Sequence, residues 1–512
     1  MKFYAIALLV VFLIACGSFT FWKRRGVPQY NFSVLLLEIV LGLIPYRSIS
    51  KAIQKVYNDF QDERYCGVYQ FTLPGLMIRD CELIKQLTIK DFDHFADHKQ
   101  ILAEDSEPMW DKNLFALKGD RWKDMRATLS PSFTSSKMKM MFHLISEYAK
   151  QFIEYFEKQP GTVVLEMKDT FTRFTNDIIA TSAFGVHCDS VRNPYNEFYL
   201  MGKKLTNSSG FINNVKMLFL VLFPRVAKYF RLGFFPKKAS KFFCNLVKEN
   251  IENREKNGIV RPDMIHLLME ARKGRLNNEQ EPEDDGEKRV KHQLTYDDIT
   301  AQALIFFFAG FDSVSTLMCF MAYELAINVD VQEQLQNEID EVLAQYNDGL
   351  TYEALSKMKY LDMVVSETLR KWPPGVVSDR VCVKPYTIKP VKTGEEPLHI
   401  EKGQILWIPI FGLHRDVKYF TETERFDPER FNEENKSKIQ QNAYLPFGIG
   451  PRSCIANRFA LMETKVLYFY LLAKFNIVVV DKTVVPLKVA KSSFQLTSQG
   501  GFWLGLTSRN LN

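Results

Sequence analysis

The stretch Leu445–Ala460, LPFGIGPRSCIANRFA, sets a single cysteine, Cys454, in a loop with Gly448, Gly450 and Pro451, between Arg452 and Arg458. Two plain readings come first. A lone cysteine is usually a small buried hydrophobe. A glycine-rich loop entering a helix can also cradle phosphate, but this one lacks the G-K-[ST] ending and follows no strand at the spacing a phosphate loop needs. Whether Cys454 does chemistry depends on what the rest of the chain places around it.

Four other groups of residues have types and spacings that could serve a site. In LTYDDITAQALIFFFAGFDSVSTLMCFMAYELAI, from Leu294 to Ile327, the pattern predicts one long helix, opened by a T-x-x-D capping box at Thr295 and Asp298. Gln302, Asp312 and Glu324 make it too polar for a membrane span. A helix apolar nearly all round belongs inside a large protein. Asp312 at its middle is expensive to bury, so it either pairs in the core or is there for chemistry. ETLR places Glu367 and Arg370 one turn apart on a helical face, ready to pair. FDPERF supplies Arg430, and DRWKDMR puts Trp122 and Arg126 at i, i+4, reaching the same way.

The elements that must position these groups are mostly helical after residue 80. Short strand-like runs lie at Tyr65–Gln70, Leu76–Ile78, Tyr386–Ile388 and Ile405–Pro409. The chain has 512 residues, 46% hydrophobic and 25% charged, with 41 phenylalanines. That is a globular composition, and several of the phenylalanines cluster mid-chain, which suits a large apolar pocket as well as a core. A formal charge of +6 with no dense basic stripe argues against nucleic-acid binding. The eight cysteines are dispersed, with neither a C-x-x-C pair nor zinc spacing, as expected of reduced thiols facing the cytosol. Arg272 to Gln293, nearly devoid of large apolar residues, reads as a solvated loop.

Phe3 to Trp22 carries no charge. As a helix it spans roughly 30 Å, the thickness of a bilayer's hydrocarbon core. Lys23, Arg24 and Arg25 follow, which puts the bulk of the protein on the cytosolic side. The run is too long for a cleaved signal core and reads as a retained anchor. Residues 3–22 are therefore expected to be a transmembrane anchor, residues 23–50 a hinge and membrane-proximal linker, and residues 51–512 the catalytic domain. A second apolar stretch, Phe32 to Pro45, is too short to span and is expected against the membrane surface.

In this order and spacing, the groups resemble the cytochrome P-450 superfamily of haem-thiolate monooxygenases, microsomal insect type, and FFFAGFDSVSTLMCFMAYELA looks most like insect family nine. FGIGPRSCIA follows the pattern F-x-x-G-x-R-x-C-x-G, with Ala456 where the final glycine is usual. The resemblance implies a mainly α fold with small β-sheets, and haem lying between the long central helix and the cysteine loop. Carried over by position, Cys454 is the axial thiolate ligand, a donor that pushes electron density to iron and favours O–O cleavage. Phe447, Gly448 and Gly450 match positions that let the backbone pass close to the macrocycle. Trp122, Arg126, Arg452 and Arg380 match positions that hold the haem propionates. Glu367, Arg370 and Arg430 resemble a structural charge network. Asp312 and Ser313 match an acid–alcohol pair that delivers protons, with serine where threonine is usual.

The resemblance also implies lipophilic substrates, with a pocket lined by Phe306 to Ala309, Val376, Val377 and the segment Ser498 to Phe502. Met217 to Phe235 resembles a loop that dips into the bilayer. No flavin- or nicotinamide-binding fingerprint is present, so electrons are expected from an NADPH–cytochrome P-450 reductase, with cytochrome b5 as a second donor. Three functions stay open: oxidation of xenobiotics such as plant toxins and insecticides, biosynthetic oxidation of one endogenous lipid or hormone, and a non-catalytic haem-binding membrane protein.

Overall fold

The computed structural model describes residues 20–30, 48–70, 73–100, 102, 107–206, 216, 219–220, 223–230, 233, 235–261, 263–273, 294–346, 349–491 and 496–509. Nearly all of the apolar run at residues 3–22, the stretch Phe32 to Pro45 and most of the charged loop at 272–293 lie outside them. The architecture is mainly helical with three small sheets.

Seven helices matter for the site: α1 (Ile49–Asp59), α2 (Gly119–Leu129), α3 (Ser135–Glu157), α4 (Met167–Ala183), α5 (Tyr296–Ile327), α6 (Lys359–Lys371) and α7 (Asn457–Lys474). The largest sheet has strand order β1 (Tyr65–Gln70), β2 (Leu73–Ile78), β7 (Ile405–Ile408), β4 (Ser378–Val381). Its β1–β2 and β4–β7 pairs are antiparallel, and β2–β7 is parallel. The register sets Arg380 opposite Leu406 and so aims it from the sheet toward the cysteine loop. A second sheet joins β3 (Val163–Glu166), β9 (Trp503–Ser508) and β8 (Phe475–Val478), and β5 (Tyr386–Ile388) pairs with β6 (Leu398–Ile400). The four strand-like runs of the sequence fall on β1, β2, β5 and β7.

Helix α5 is the centre of the molecule. Its capping box forms as expected: Asp298 N–H donates to Thr295 Oγ1 at 3.2 Å, and Thr295 N–H donates to Asp298 Oδ2 at 2.8 Å. By length and composition, with a mean hydropathy of 1.8, it could cross a membrane. Its polar groups say otherwise. Gln302 bridges Leu114 N–H (2.8 Å) and Lys112 O (2.7 Å), and Glu324 accepts from Trp372 Nε1 (2.6 Å) and pairs with Lys371 (2.9 Å). Ser315 to Ala326 is buried without interruption, as befits a core helix that is apolar on every face. Between Tyr296–Ala309 and Ser315–Ile327 the helix widens into one π turn, Gly310–Val314. Such turns interrupt the hydrogen-bond ladder and occur often at functional sites.

The charge network folds as the sequence suggests. Arg370 clamps Glu367 through two 2.8 Å contacts, both side chains fully buried, and Arg430 Nε adds a third at 3.4 Å. Arg370 also donates to Thr423 O (2.7 Å) and His414 O (3.1 Å), so its role is to lock loops onto α6.

At the other end of the chain, Trp22 is fully buried against β1. Its indole donates to Val68 O at 3.3 Å, and a Cβ on Gly67 would lie 2.4 Å from its ring. Thus the last residue of the apolar run packs into the folded domain.

Candidate active site

The cysteine loop is a tight reversal ahead of α7. Cys454 N–H donates to Phe447 O at 2.9 Å, and Gly448 N–H donates to Leu445 O at 3.1 Å. Both glycines take left-handed backbone, Gly448 at φ 75° and Gly450 at φ 73°, where a Cβ is penalised. Gly450 has a further reason to be glycine. A Cβ there would sit 2.2 Å from Thr88 O, so its bare face admits the neighbouring backbone at Thr88. The sequence reading assigned that freedom to the macrocycle side.

Among the described cysteines Cys454 alone is exposed, while Cys66, Cys81, Cys188, Cys319 and Cys382 are buried and Cys244 is half-buried. Yet the surrounding protein pushes the Cys454 thiol up by desolvation, against the pull of the Ala456 N–H and the Arg126 guanidinium. A sulfur that is open yet desolvated borders an interior hollow. Ala309, mid-way along the core helix α5, is likewise exposed.

Positive charge converges beside this space. Trp122 and Arg126 share one face of α2, and Arg452 lies over the Trp122 ring at 4.0 Å. Burial drives Arg452 down to about 10, with Asp97 opposing and Arg380 and Arg126 adding repulsion. Arg380 is likewise pushed down to about 10 by burial, with Asp379 opposing. The three arginines differ in what they have left to offer. Arg452 is spent on the protein: it donates to Ala96 O (2.7 Å), Leu117 O (2.9 Å) and Asp97 Oδ1 (3.0 Å). Arg380 gives Nη1 to Asp379 O (2.6 Å) and Nη2 to Ile449 O (3.0 Å), which leaves its buried Nε without a partner. Arg126 has no side-chain hydrogen bond or ion pair among the described residues.

Two residues that sequence reasoning missed complete the cluster. His98 Nδ1 lies 3.0 Å from Asp379 Oδ1, and its ring stacks on Phe115 at 4.4 Å. Burial holds the imidazole below its ordinary value. Burial alone would raise Asp379, but His98, the Lys99 N–H and Arg380 hold it low. FADHK carries no periodic or spacing signal, so His98 becomes legible only when β4 brings Asp379 beside it.

An orphaned buried guanidinium nitrogen, an unpaired arginine and an open, desolvated thiol together fit a ligand with carboxylates on its edge and a metal that takes a sulfur donor. The two members of the expected acid–alcohol pair turn to different partners. Ser313 Oγ donates back to Ala309 O, whereas Asp312 Oδ1 pairs with Lys168 Nζ at 2.9 Å. The acid and the alcohol therefore do not bond to each other.

A family model described as Cytochrome P450 matches residues 35–504. The chain belongs to the cytochrome P450 family. It is 47% identical to cytochrome P450 9e2 of Blattella germanica, covering 98% of this chain and 96% of that one. It is 40% identical to probable cytochrome P450 9f2 of Drosophila melanogaster, covering 99% and 98%, and 35% identical to cytochrome P450 6k1 of Blattella germanica, covering 97% and 94%. The resemblance to insect family nine is thus borne out. As a cytochrome P450 the protein is a haem-thiolate monooxygenase, and the site chemistry fits that cofactor.

The apolar lining divides along α5. Phe306, stacked on Phe133 at 5.6 Å, and Phe308, near Trp110 at 6.4 Å, are partly open. Phe307 turns the other way and is fully buried, with Phe184, Phe198, Phe243 and Phe311 around it. Phe502 is also core, against Phe320 at 5.0 Å. The expected lining loses these two residues, because each completes an aromatic cluster instead.

Proposed function

We propose that this P450 oxidises lipophilic xenobiotics, such as plant toxins or insecticides, at a haem held by Cys454. The observation that carries the reading is Cys454 itself: the exposed thiol at the head of α7, desolvated and beside the free Arg126. Haem with a thiolate donor supplies reductive activation of dioxygen for insertion of one oxygen atom into the substrate. Arg126 and the free Nε of Arg380 bind the propionates, Trp122 packs beside them, and Arg452 braces Trp122. The Ala456 N–H tempers the sulfur. Asp312 and the Ser313 hydroxyl would supply and position protons beside the bound group. Phe306, Phe308 and Val377 offer apolar surface to the substrate and keep water out.

Electrons come from an NADPH–cytochrome P-450 reductase, with cytochrome b5 as a second donor. Exposed Arg121 and Lys123 on α2 suit an acidic partner surface. The apolar run that begins at residue 3 anchors the enzyme in the endoplasmic reticulum membrane and ends before Trp22, which is seated on the folded domain; residues 51–512 face the cytosol, and residues 23–50 link the two. Phe223, Tyr229 and Phe230 are exposed, Tyr229 by 83%, a cluster suited to lipid contact beside a substrate entrance. The test is reconstitution with the reductase in lipid and turnover of a panel of lipophiles with product identification. Oxygenation of several unrelated xenobiotics supports this reading. Turnover of one endogenous lipid alone would replace it with a biosynthetic role.

A further inference from the structure

The π turn of α5 is held open by one face of α4. Lys168, Thr172, Thr175 and Ile179 recur at i, i+4, i+7 and i+11, one stripe of a helix. Ile179 lies so close to the turn that a Cβ on Gly310 would sit 2.6 Å from its Cδ1. Thr175 Oγ1 donates to Phe311 O at 2.9 Å, and Thr172 Oγ1 donates to Ser315 Oγ at 3.3 Å. Lys168 reaches furthest. Its ammonium donates to Asp312 O (2.9 Å), Ser315 Oγ (2.8 Å) and Thr316 Oγ1 (2.7 Å), and it pairs with Asp312 Oδ1 (2.9 Å). Three N–H bonds thus serve four oxygens, and both the backbone carbonyl and the carboxylate of Asp312 are fixed by one side chain.

A π turn leaves carbonyls without their regular helical donors, and a partly buried carboxylate needs a counter-charge. Lys168 meets both needs at the same residue. We propose that Lys168 is a positioning residue for proton supply: it holds the Asp312 carboxylate on the α4 side and keeps the turn open, so that Ser313 stays in one arrangement. This rests on the reading of Asp312 and Ser313 as the proton-supplying pair. Two outcomes compete for each NADPH. In the coupled one, substrate RH, O2, NADPH and H+ give ROH, water and NADP+. In the leak, O2, NADPH and H+ give hydrogen peroxide and NADP+. Timely proton supply decides between them.

The experiment compares Lys168→Met, Lys168→Gln and Lys168→Arg in the reconstituted holoenzyme. Product, peroxide and NADPH oxidation are measured together, alongside the solvent deuterium isotope effect on product formation. Lys168→Met should lower product per NADPH severalfold and change the isotope effect, while the reduced carbon monoxide spectrum stays thiolate-type. Lys168→Arg should recover most of the coupling, because it keeps the charge. If Lys168→Met loses haem, Lys168→Gln carries the comparison, since it keeps an N–H donor for the turn but offers the carboxylate no charge. Coupling and isotope effect equal to the unmodified enzyme in Lys168→Gln and any haem-loaded Lys168→Met would overturn the proposal. The parent reading is tested separately by Ser313→Ala and Asp312→Asn. If those two leak peroxide and the Lys168 variants do not, only the role of Lys168 falls. If neither leaks, the proton-supply reading falls with it.

Discussion

His414 Nε2 accepts a hydrogen bond from the Leu445 backbone N–H at 2.8 Å. Because Nε2 accepts, the ring proton must sit on Nδ1, which faces Arg370 O at 3.2 Å. One buried imidazole thus ties the Glu367–Arg370 clamp on α6 to the first residue of the cysteine loop. Burial, with Arg370 and Arg415 adding repulsion, drives His414 down to about 3 from an ordinary 6.5.

The sign of the pH dependence follows. Above pH 6.5 His414 is neutral folded or unfolded and costs nothing. As pH falls below 6.5 the unfolded chain takes up a proton that the folded one refuses until about 3. Stability from this group should fall by roughly 1.4 kcal/mol per pH unit across that window. His414→Gln should be less stable at neutral pH yet show a flatter loss on acidification. Denaturant midpoints for both proteins, read by loss of the thiolate-type carbon monoxide signal, check this. Parallel pH slopes would refute it.

The two loop glycines should separate in cost. Gly448→Ala meets only the left-handed φ, a penalty of about 1–2 kcal/mol. Gly450→Ala adds a clash with Thr88 O and should cost roughly 3–5 kcal/mol with loss of haem. Haem content and denaturant midpoints of the two variants measure the difference.

The arginines should separate by kind. Arg126→Leu removes an unpaired guanidinium, so the fold should hold while haem dissociates severalfold faster. Arg452→Leu takes the counter-charge from Asp97 and a donor from three backbone carbonyls and should destabilise the fold by about 3–5 kcal/mol. Apomyoglobin capture of haem, run beside thermal melts, distinguishes them.

Ser313→Thr should be tolerated, with product per NADPH unchanged or improved. A threonine hydroxyl can keep the helical back-bond to Ala309 O, and its methyl restricts χ1. A simultaneous assay of product and peroxide checks it, and increased leakage in Ser313→Thr would count against the hydroxyl's positioning role.

Local patterns reported the fold well. The T-x-x-D cap, the i, i+3 pair of Glu367 and Arg370 and the strands β1 and β5 stand where spacing put them, because each depends on near neighbours. Contacts across the chain were hidden. Asp379 meets His98 through sheet pairing, Lys168 meets Asp312 through packing of α4 on α5, and Thr88 meets Gly450 across a loop. No periodicity encodes such meetings. Phe307 shows the same limit: beside Phe306 and Phe308 in sequence, it turns into the core where they stay partly open.

The most direct test of the account is the reduced carbon monoxide difference spectrum of the unmodified protein beside Cys454→His. The other described cysteines are buried or half-buried, whereas Cys454 is exposed, so none of them can readily replace it. The unmodified protein should give the thiolate-type Soret band. Cys454→His should bind haem through Arg126 and Arg380 but lose that band, and oxygenation with it. A thiolate-type band that survives in Cys454→His would place the iron on another sulfur and contradict the assignment on which the mechanism stands.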